Sequence, residues 1–387
     1  MYNRNKMIFK LMSENTTIPD AEQAKSNESL IAYLQKRACS VLDELIPPYA
    51  NAVLLDYPNN PNVGDSLIWL GEIAYLKSRH INIKYVCDIR NYERSALENA
   101  LDEATVILMH GGGNFGTVWP EMQSFRERIL TDFPNVPCVQ LPQSISFDNR
   151  EAIERSAAVI NAHRNFTILT RDKDSYDFAC REFLSNVKMC PDMAFFIGAV
   201  KVSAEPKVDC LVLSRSDHEK ANNWIGNLSF DAHDLDVKVV DWLKPSRMGR
   251  LIHRIEMHTV SLRRLVDKQN KMLLPLWSYL SKVRMRRGIR ILQQGRVVYT
   301  DRLHAHILSI LINKPHVLVD NANKKISGFY KTWTIGYPRA HFVESRDEAS
   351  AALKVIKKPA RNYSMFEHTK TFNKRHDIVS DSAGIGR

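Results

Sequence analysis

The segment DRLHAH, residues 301–306, places a guanidinium and imidazole groups at the beginning of a predicted helix. Arg302 and His304 come just before the apolar run ILSILI, where free backbone N–H groups and the helix dipole favour an anion. His304 could also act as an acid, although a single helical histidine is commonly structural. His304 and His306 stand two residues apart and cannot face the same way on a helix, so we predict no metal site there.

A second cluster is the run HGGGNFG, residues 110–116, which follows the apolar run TVILM. The consecutive glycines Gly111, Gly112 and Gly113 permit close approach to the backbone, whose N–H groups could hold an anion beside His110. The glycine spacing also fits a dinucleotide fingerprint, but the run follows about the third predicted strand, and no acidic residue ends a clear following strand. The run also resembles an esterase oxyanion loop, yet the chain has no G-x-S-x-G elbow. We therefore predict a glycine loop that contacts substrate.

Single polar side chains follow other predicted strands. They are Asp65 in NVGDSL, Gln143 in LPQSI, Arg171 in TRD, Asp192 in PDMAF and Lys325 in KKISGF. Arg171 can bind a phosphate or carboxylate with two parallel hydrogen bonds. Each position also has a structural alternative: a helix cap for the two aspartates, a turn for Gln143, a salt bridge for Arg171 and surface exposure for Lys325.

Strands and helices alternate along the chain, which predicts parallel sheets covered on both faces. The first predicted strands are residues 51–57, 84–89, 105–109, 137–142, 166–170 and 187–192, with helices at 66–79, near 92–101 and after Met122. A second series of strands covers residues 210–215, 237–242, 297–300 and 316–320. Because parallel strands end at one edge, the polar clusters are expected to meet at a common crevice.

The pattern predicts an α/β protein with two Rossmann-like domains and a cleft between them. Four regions are expected: a flexible leader (1–27), an amino-terminal domain on the acceptor side (28–205), a carboxyl-terminal domain on the donor side (206–345), and a helix with a polar tail (346–387). The second domain carries a basic helical insert, residues 244–296.

The charge is distributed unevenly. The net charge of the 387 residues is +11, of which residues 1–200 contribute −5 and residues 201–387 contribute +16. The insert holds 14 basic residues against Glu256 and Asp267, with apolar and aromatic residues between them. This pattern is typical of a surface for anionic lipid, a phosphorylated glycan carrier or nucleic acid. An ordinary solvated helical pair explains it equally well.

The six cysteines form no CxxC pair, and the first residues have no adequate apolar core for a secretory signal. The sequence contains no run of about 18 apolar residues, so we predict no transmembrane helix. We therefore expect a reduced, cytoplasmic protein.

In chain order, the motifs NVGDSL, HGGGNFG, LPQSI, TRD, PDMAF, DRLHA and the K-x-x-G-F that begins at Lys325 resemble those of the polysaccharide pyruvyl transferase family. The resemblance covers residues 50–335 apart from the basic insert. It implies a fold similar to GT-B glycosyltransferases and an enzyme that uses phosphoenolpyruvate as its donor substrate, without a cofactor. Such enzymes transfer the pyruvyl group to two hydroxyls of one sugar, form a cyclic ketal and release phosphate.

The resemblance also suggests roles for individual residues. Donor binding is expected from Arg171, Arg302, Leu303, Lys325, Gly111, Gly112 and Gly113, and acceptor binding from Asn114, Gln143 and Trp119. His304 is the expected acid, and Asp65 and His110 are candidate bases. The expected acceptor is a lipid-linked oligosaccharide at an anionic membrane surface, with no nucleic acid bound.

Two other functions stay open at this point. A glycosyltransferase of the same architecture would use a nucleotide-sugar donor. A binding protein would instead use the basic insert to hold nucleic acid or lipid, which would leave the amino-terminal motifs without a role.

Overall fold

A computed structural model describes residues 26–215, 235–243, 272–321 and 324–356. The predicted tail beyond residue 356, nearly all of the predicted leader and the first half of the basic insert (244–271) lie outside the described residues. The described chain is a mixed α/β structure built on two parallel sheets.

The first sheet has seven parallel strands in the order β2-β1-β3-β5-β6-β7, with β4 paired to β5. Its strands are β1 (Asn51–Leu55), β2 (Asn82–Cys87), β3 (Thr105–Met109), β4 (Gly112–Gly116), β5 (Cys138–Ser146), β6 (Phe166–Thr170) and β7 (Asn186–Met189). Its helices are α1 (Asn27–Leu45), α2 (Val63–Ser78), α3 (Arg94–Glu98), α4 (Pro120–Asp132), α5 (Arg150–Ala162) and α6 (Lys173–Glu182), followed by a 3₁₀ helix (Met193–Ile197).

The second sheet has five parallel strands in the order β12-β11-β10-β8-β9. Its strands are β8 (Val208–Leu213), β9 (Val237–Val240), β10 (Gly295–Thr300), β11 (His316–Val319) and β12 (Ala340–Val343). Its helices are α7 (Leu273–Leu292), α8 (Leu303–Leu311), α9 (Lys325–Phe329) and α10 (Arg346–Ile356), with a π-helical turn at Tyr330–Thr334. Residues 198–206 contain no helix or strand and join the two sheets.

The central strands are continuous apolar runs because both of their faces are covered. Every residue of β3 and β6 is buried, as expected for parallel strands between helical layers. Helices of the two sheets pack against each other in one apolar cluster, which contains Leu67 of α2, Phe195 of the 3₁₀ helix and Leu308 of α8. The carboxyl ends of strands from both sheets are thereby brought together.

Two local predictions about the first sheet are wrong. Pro142 does not end its strand, because β5 continues to Ser146 and the missing proline N–H falls within a register shift between Gln140 and Gln143. The glycine run is not only a loop, because Gly112–Gly116 forms strand β4 beside β5. Gly116 requires its residue type: φ is 115°, and a Cβ would lie 1.9 Å from the Ser146 carbonyl oxygen.

The basic insert also differs from the prediction over its described part. Trp277 of α7 is fully buried and stacks on Tyr57 with ring centroids 4.2 Å apart. Arg284 donates to the Tyr57 hydroxyl at 2.8 Å, and Arg287 donates to the carbonyl oxygen of Trp242 at 2.8 Å. These two arginines therefore face the protein interior, and only one side of α7 remains a basic surface.

No helix in the described ranges combines the length and the apolar character needed to cross a bilayer.

The packing of α2 on the 3₁₀ helix generates a stability prediction. A Cβ on Gly71 would lie 1.9 Å from the carbonyl oxygen of Met193, so the two backbones would have to separate. We expect Gly71→Ala to lower the free energy of unfolding by about 3 kcal/mol, measured by urea denaturation.

Gly328→Ala is the matched control. Its Cβ would lie 3.6 Å from the Asp172 side chain, which is an ordinary van der Waals contact, and the stability of this helical variant should stay within about 1 kcal/mol of wild type. If Gly71→Ala were as stable as this control, the close contact between the two helices would be wrong.

Candidate active site

Three side chains from both sheets meet at the carboxyl ends of the strands. Arg171 follows β6, Asp192 follows β7, and His304 is the second residue of α8. Arg171 Nη1 donates to Asp192 Oδ2 at 2.7 Å, and His304 Nε2 lies 3.4 Å from the same oxygen. The side chains of Arg171, Asp192 and His304 are only 3%, 1% and 12% exposed. The structure therefore brings together the predicted cation and the predicted acid, and it adds a buried carboxylate between them.

Asp192 is a permanent anion in this arrangement. Burial raises the pKa of its carboxyl, but His304 and Arg171 outweigh burial and hold that pKa well below its usual range. The other carboxylate oxygen accepts the N–H of Ala194, so the helix-cap role is also present. The charge of Asp192 thus orients the guanidinium and the imidazole at the same time.

The remaining edge of the Arg171 guanidinium faces the glycine run. Its Nε donates to Ser144 Oγ at 3.0 Å. A Cβ on Gly113 would lie 3.1 Å from Arg171 Nη2 and 3.3 Å from Lys325 Nζ. Lys325 Nζ also donates to the carbonyl oxygen of Gly113 at 3.2 Å. A residue without a side chain at position 113 therefore lets two cationic groups approach one point of the backbone.

His304 requires a glycine in the same way. A Cβ on Gly64, near the beginning of α2, would lie 2.7 Å from His304 Nδ1. The motif NVGDSL therefore positions the imidazole by leaving space for it.

The glycine run does not offer a fully free set of N–H groups, which corrects the prediction. Gly111 N–H donates to Glu72 Oε1 at 2.8 Å, Asn114 N–H to Gln143 Oε1 at 3.1 Å, and Gly116 N–H to Gln123 Oε1 at 3.0 Å. These hydrogen bonds fix the shape of the run.

Glu72 is a site residue that the sequence reasoning missed. It is fully buried on α2, and its second oxygen accepts from His110 Nδ1 at 2.8 Å. His110 Nε2 is buried and has no hydrogen-bond partner within the described ranges. The available signal was a single carboxylate inside the apolar helical run LIWLGEIAYL, since a charge is seldom buried without a partner.

The Glu72 contact also changes the proton affinity of His110. Burial alone lowers the pKa of this imidazole, but the charge and hydrogen bond of Glu72, with smaller effects of Asp56 and Asp65, raise it above the ordinary value. His110 therefore has the carboxylate-oriented geometry of an imidazole that accepts a proton through Nε2.

The residues predicted to bind the acceptor differ in how exposed they are. The prediction that Gln143 follows a strand is wrong, because it lies within β5, where it is fully buried and donates to the His110 carbonyl and to Asn114 Oδ1. Asn114 is partly exposed, and its oxygen also accepts from Arg126 at 2.9 Å. Trp119 is 41% exposed at the beginning of α4. Gln143 therefore holds Asn114 in place instead of facing a ligand.

Asp65 and Arg302 already have partners in the protein. Asp65 lies in the first turn of α2, where its carboxylate accepts from the amides of Asn60 and Asn62. The cap of this helix is Asn62, which corrects the prediction of a cap at Asp65. Arg302 Nη2 donates to Asp241 Oδ1 at 2.7 Å.

The beginning of α8 provides donors for an anion. Leu303 itself is buried in the apolar core, so only its backbone is available to a ligand. Among the described residues, no acceptor contacts the backbone N–H groups of Leu303 and His304. The described residues contain no group of three or more His, Cys, Asp or Glu side chains that could hold a metal ion.

The two parallel sheets, with polar side chains at the carboxyl ends of their strands, define an α/β protein with a candidate active site where the sheets meet. A family model for polysaccharide pyruvyl transferases matches residues 62–323. The chain belongs to the polysaccharide pyruvyl transferase family.

Named relatives agree with this assignment. The chain is 31% identical over 326 residues to the putative pyruvyl transferase EpsO of Bacillus subtilis, covering 82% of this chain and 96% of that protein. It is 30% identical over 299 residues to pyruvyl transferase 1 of Schizosaccharomyces pombe, covering 73% and 69% of the two chains. A crystal structure of a functionally uncharacterized protein from Klebsiella pneumoniae shares the fold, with a TM-score of 0.50 and 19% identity over 81% of this chain and 99% of that one.

The contact between Glu72 and His110 generates a prediction. Glu72→Gln removes a negative charge beside the imidazole, so the pKa of His110 should fall. An NMR titration of the imidazole resonances would measure it. Glu44→Gln, which removes a surface carboxylate paired with Lys188, is the control. A His110 titration that is identical in all three proteins would contradict the described geometry.

Proposed function

We propose that this protein transfers the pyruvyl group of phosphoenolpyruvate to two hydroxyls of one sugar, within an exopolysaccharide or its lipid-linked precursor. The observation that carries the proposal is the convergence of Arg171, Lys325 and His304 beside Gly113 and Gly64. Membership of the pyruvyl transferase family supports the same reaction class. In this proposal the substrates occupy a cleft between two domains built on the two sheets.

Phosphoenolpyruvate needs several cationic groups because it carries a phosphate and a carboxylate on a three-carbon frame. Arg171 Nη2 and Lys325 Nζ approach the same point at Gly113, and the open N–H groups of α8 add neutral donors. Arg302 is the further cation expected at the donor, and its Nη2 is held by an ion pair with Asp241. Asp192 stays ionised and sets the orientation of Arg171.

His304 supplies the proton that starts the reaction. The proton goes to the methylene carbon of the donor, and an oxocarbenium-like centre forms at the adjacent carbon. A sugar hydroxyl attacks this centre, the phosphate leaves with the electron pair of its C–O bond, and the second hydroxyl closes the ketal. The two hydroxyls release two protons in total, which balance the proton gained by the new methyl group and the proton on the released phosphate.

The acceptor binds on the side of the first sheet. Asn114 contacts a sugar hydroxyl through its partly exposed amide, and Trp119 offers an aromatic face for stacking on a sugar ring. His110 and Asp65 remain the candidate bases from the sequence, and His110 has the more favourable geometry because Glu72 orients it.

Phosphate release from phosphoenolpyruvate, with a panel of p-nitrophenyl hexosides as acceptors, tests the proposal. His304→Ala should lower kcat by about 100-fold or more because the acid is lost. Arg171→Lys should raise KM for phosphoenolpyruvate about tenfold, since a lysine cannot hold Asp192 and the donor together. His80→Ala, which removes an exposed imidazole that stacks on Tyr49, is the control.

The competing glycosyltransferase function predicts a different result. In that case a nucleoside diphosphate would raise the melting temperature of the protein and phosphoenolpyruvate would not. Full activity of both His304→Ala and Arg171→Lys would also contradict the proposed donor site.

The exposed side of α7 is proposed to contact an anionic membrane surface. Lys282, Arg286 and Arg290 are exposed at four-residue spacing, and Tyr279 beside them is 61% exposed. Changing the three basic residues to serine should weaken binding to phosphatidylglycerol-containing vesicles by roughly 100-fold, at about 1 kcal/mol for each basic residue. Co-sedimentation would measure the loss.

The control is a second triple serine variant, which removes three exposed arginines on helices of the first sheet. It should bind vesicles like wild type. Its positions are Arg128, Arg150 and Arg155. Equal binding by both triple variants would rule out the α7 surface.

A further inference from the structure

Asp56 is a buried carboxylate for which the fold alone gives no reason. It follows the last residue of β1, it is 6% exposed, and its φ of 67° is in the left-handed region that non-glycine residues rarely adopt. A strained backbone and a buried charge at one residue both lower stability, and such residues cluster at functional sites.

The topology places Asp56 beside His110. Strands β1 and β3 are neighbours in register, with Leu55 opposite Met109, and the His110 N–H donates to the Leu55 carbonyl at 3.1 Å. Asp56 and His110 are therefore the residues that directly follow β1 and β3, and both lie at the same edge of the sheet. This edge also carries Gly113, where Arg171 and Lys325 converge.

One neighbour holds the Asp56 side chain, and only weakly. Among the described residues, the sole hydrogen bond to this carboxylate comes from Asn114 Nδ2, at 3.3 Å to Oδ2. The Asn114 amide cannot turn away, because its oxygen accepts from Arg126 at 2.9 Å and from Gln143 at 2.7 Å. The other oxygen of Asp56 is left for a hydroxyl donor.

The charges around Asp56 are of both signs. His110 and Arg126 act to stabilise the carboxylate, and Asp88, at the end of β2, opposes it. Burial is the largest influence and raises the pKa of Asp56 to about 7. Glu72 lies one step further away, bound to the His110 imidazole. Asp56 therefore changes its protonation state in the range where a catalytic base operates.

We propose that Asp56 is a catalytic base that binds one hydroxyl of the acceptor sugar and takes its proton. The inference rests on the proposed pyruvyl transfer and assigns a residue to its acceptor half. As the hydroxyl O–H bond breaks, its electron pair forms the new C–O bond to the donor carbon, and the proton moves to Asp56. Asp65 is a weaker candidate because two asparagine amides already donate to its Oδ2, against the single weak hydrogen bond that Asp56 accepts.

Asp56→Asn tests this role through activity. In the phosphoenolpyruvate and hexoside assay, kcat should fall by about 100-fold or more, while KM for phosphoenolpyruvate stays within about twofold. In the wild type, kcat should rise with pH through about 7 as Asp56 loses its proton, and this limb should disappear in the variant. Asp132→Asn is the control, because it removes a carboxylate that accepts a hydrogen bond from Tyr92 away from the site. It should keep the wild-type kcat and the wild-type pH dependence.

The stability of Asp56→Asn provides a second test. Replacing a carboxylate that only stabilises the fold would lower the melting temperature and not raise it. The folded protein retains the Asp56 proton up to about pH 7, whereas the unfolded chain loses it near 3.8. The native state is therefore penalised increasingly as pH rises through this window. Asp56→Asn should raise the melting temperature at pH 8 by about 3 °C or more, with a smaller gain at pH 5.

The possible outcomes separate the two claims. No turnover by the wild type with any hexoside overturns the proposed function, and the role of Asp56 with it. Wild-type turnover with an unimpaired Asp56→Asn overturns the role of Asp56 alone. A variant that is inactive but less stable than wild type at pH 8 also overturns it, because Asp56 would then be a structural residue.

Discussion

The buried carboxylate of Asp192 is the constraint on which the candidate site depends. It is almost completely buried, and it contacts a guanidinium from the first sheet and an imidazole from the α8 helix of the second. A buried carboxylate without such partners would take up a proton or destabilise the fold. The ion pair with Arg171 and the contact with His304 therefore link the two sheets through one charge, and they place a cation and a proton donor side by side.

The surrounding backbone is shaped so that these groups can approach. Gly64 leaves the space that the His304 ring occupies, and Gly113 leaves the space that Arg171 and Lys325 share. His110, Glu72 and Asp56 lie at the same edge of the first sheet and add titratable groups beside the glycine run. Cationic groups and a carboxylate-oriented imidazole are thus both adjacent to one short glycine-rich strand.

Much of the fold was predictable because the signals are local. The strands 105–109 and 166–170 are apolar runs with well-marked ends, and the structure has both at these residues. Strand β4 was not predictable, since glycines disfavour strands and only pairing with β5 makes this one form. The prediction that Arg171 and His304 share a site rested on the fact that parallel strands end at the same edge of a sheet. Asp192 also follows a predicted strand, but its position between Arg171 and His304 was not predictable, because the three residues meet only through the packing of both sheets.

The proposed function depends above all on Arg171 and Lys325 forming an anion site beside Gly113. A difference electron density map from crystals soaked with phosphoenolpyruvate tests it most directly. We expect the phosphate or the carboxylate within hydrogen-bond distance of Arg171 Nη2 and Lys325 Nζ, with the methylene carbon near the His304 imidazole. A donor bound elsewhere on the molecule, with these three side chains untouched, would contradict it.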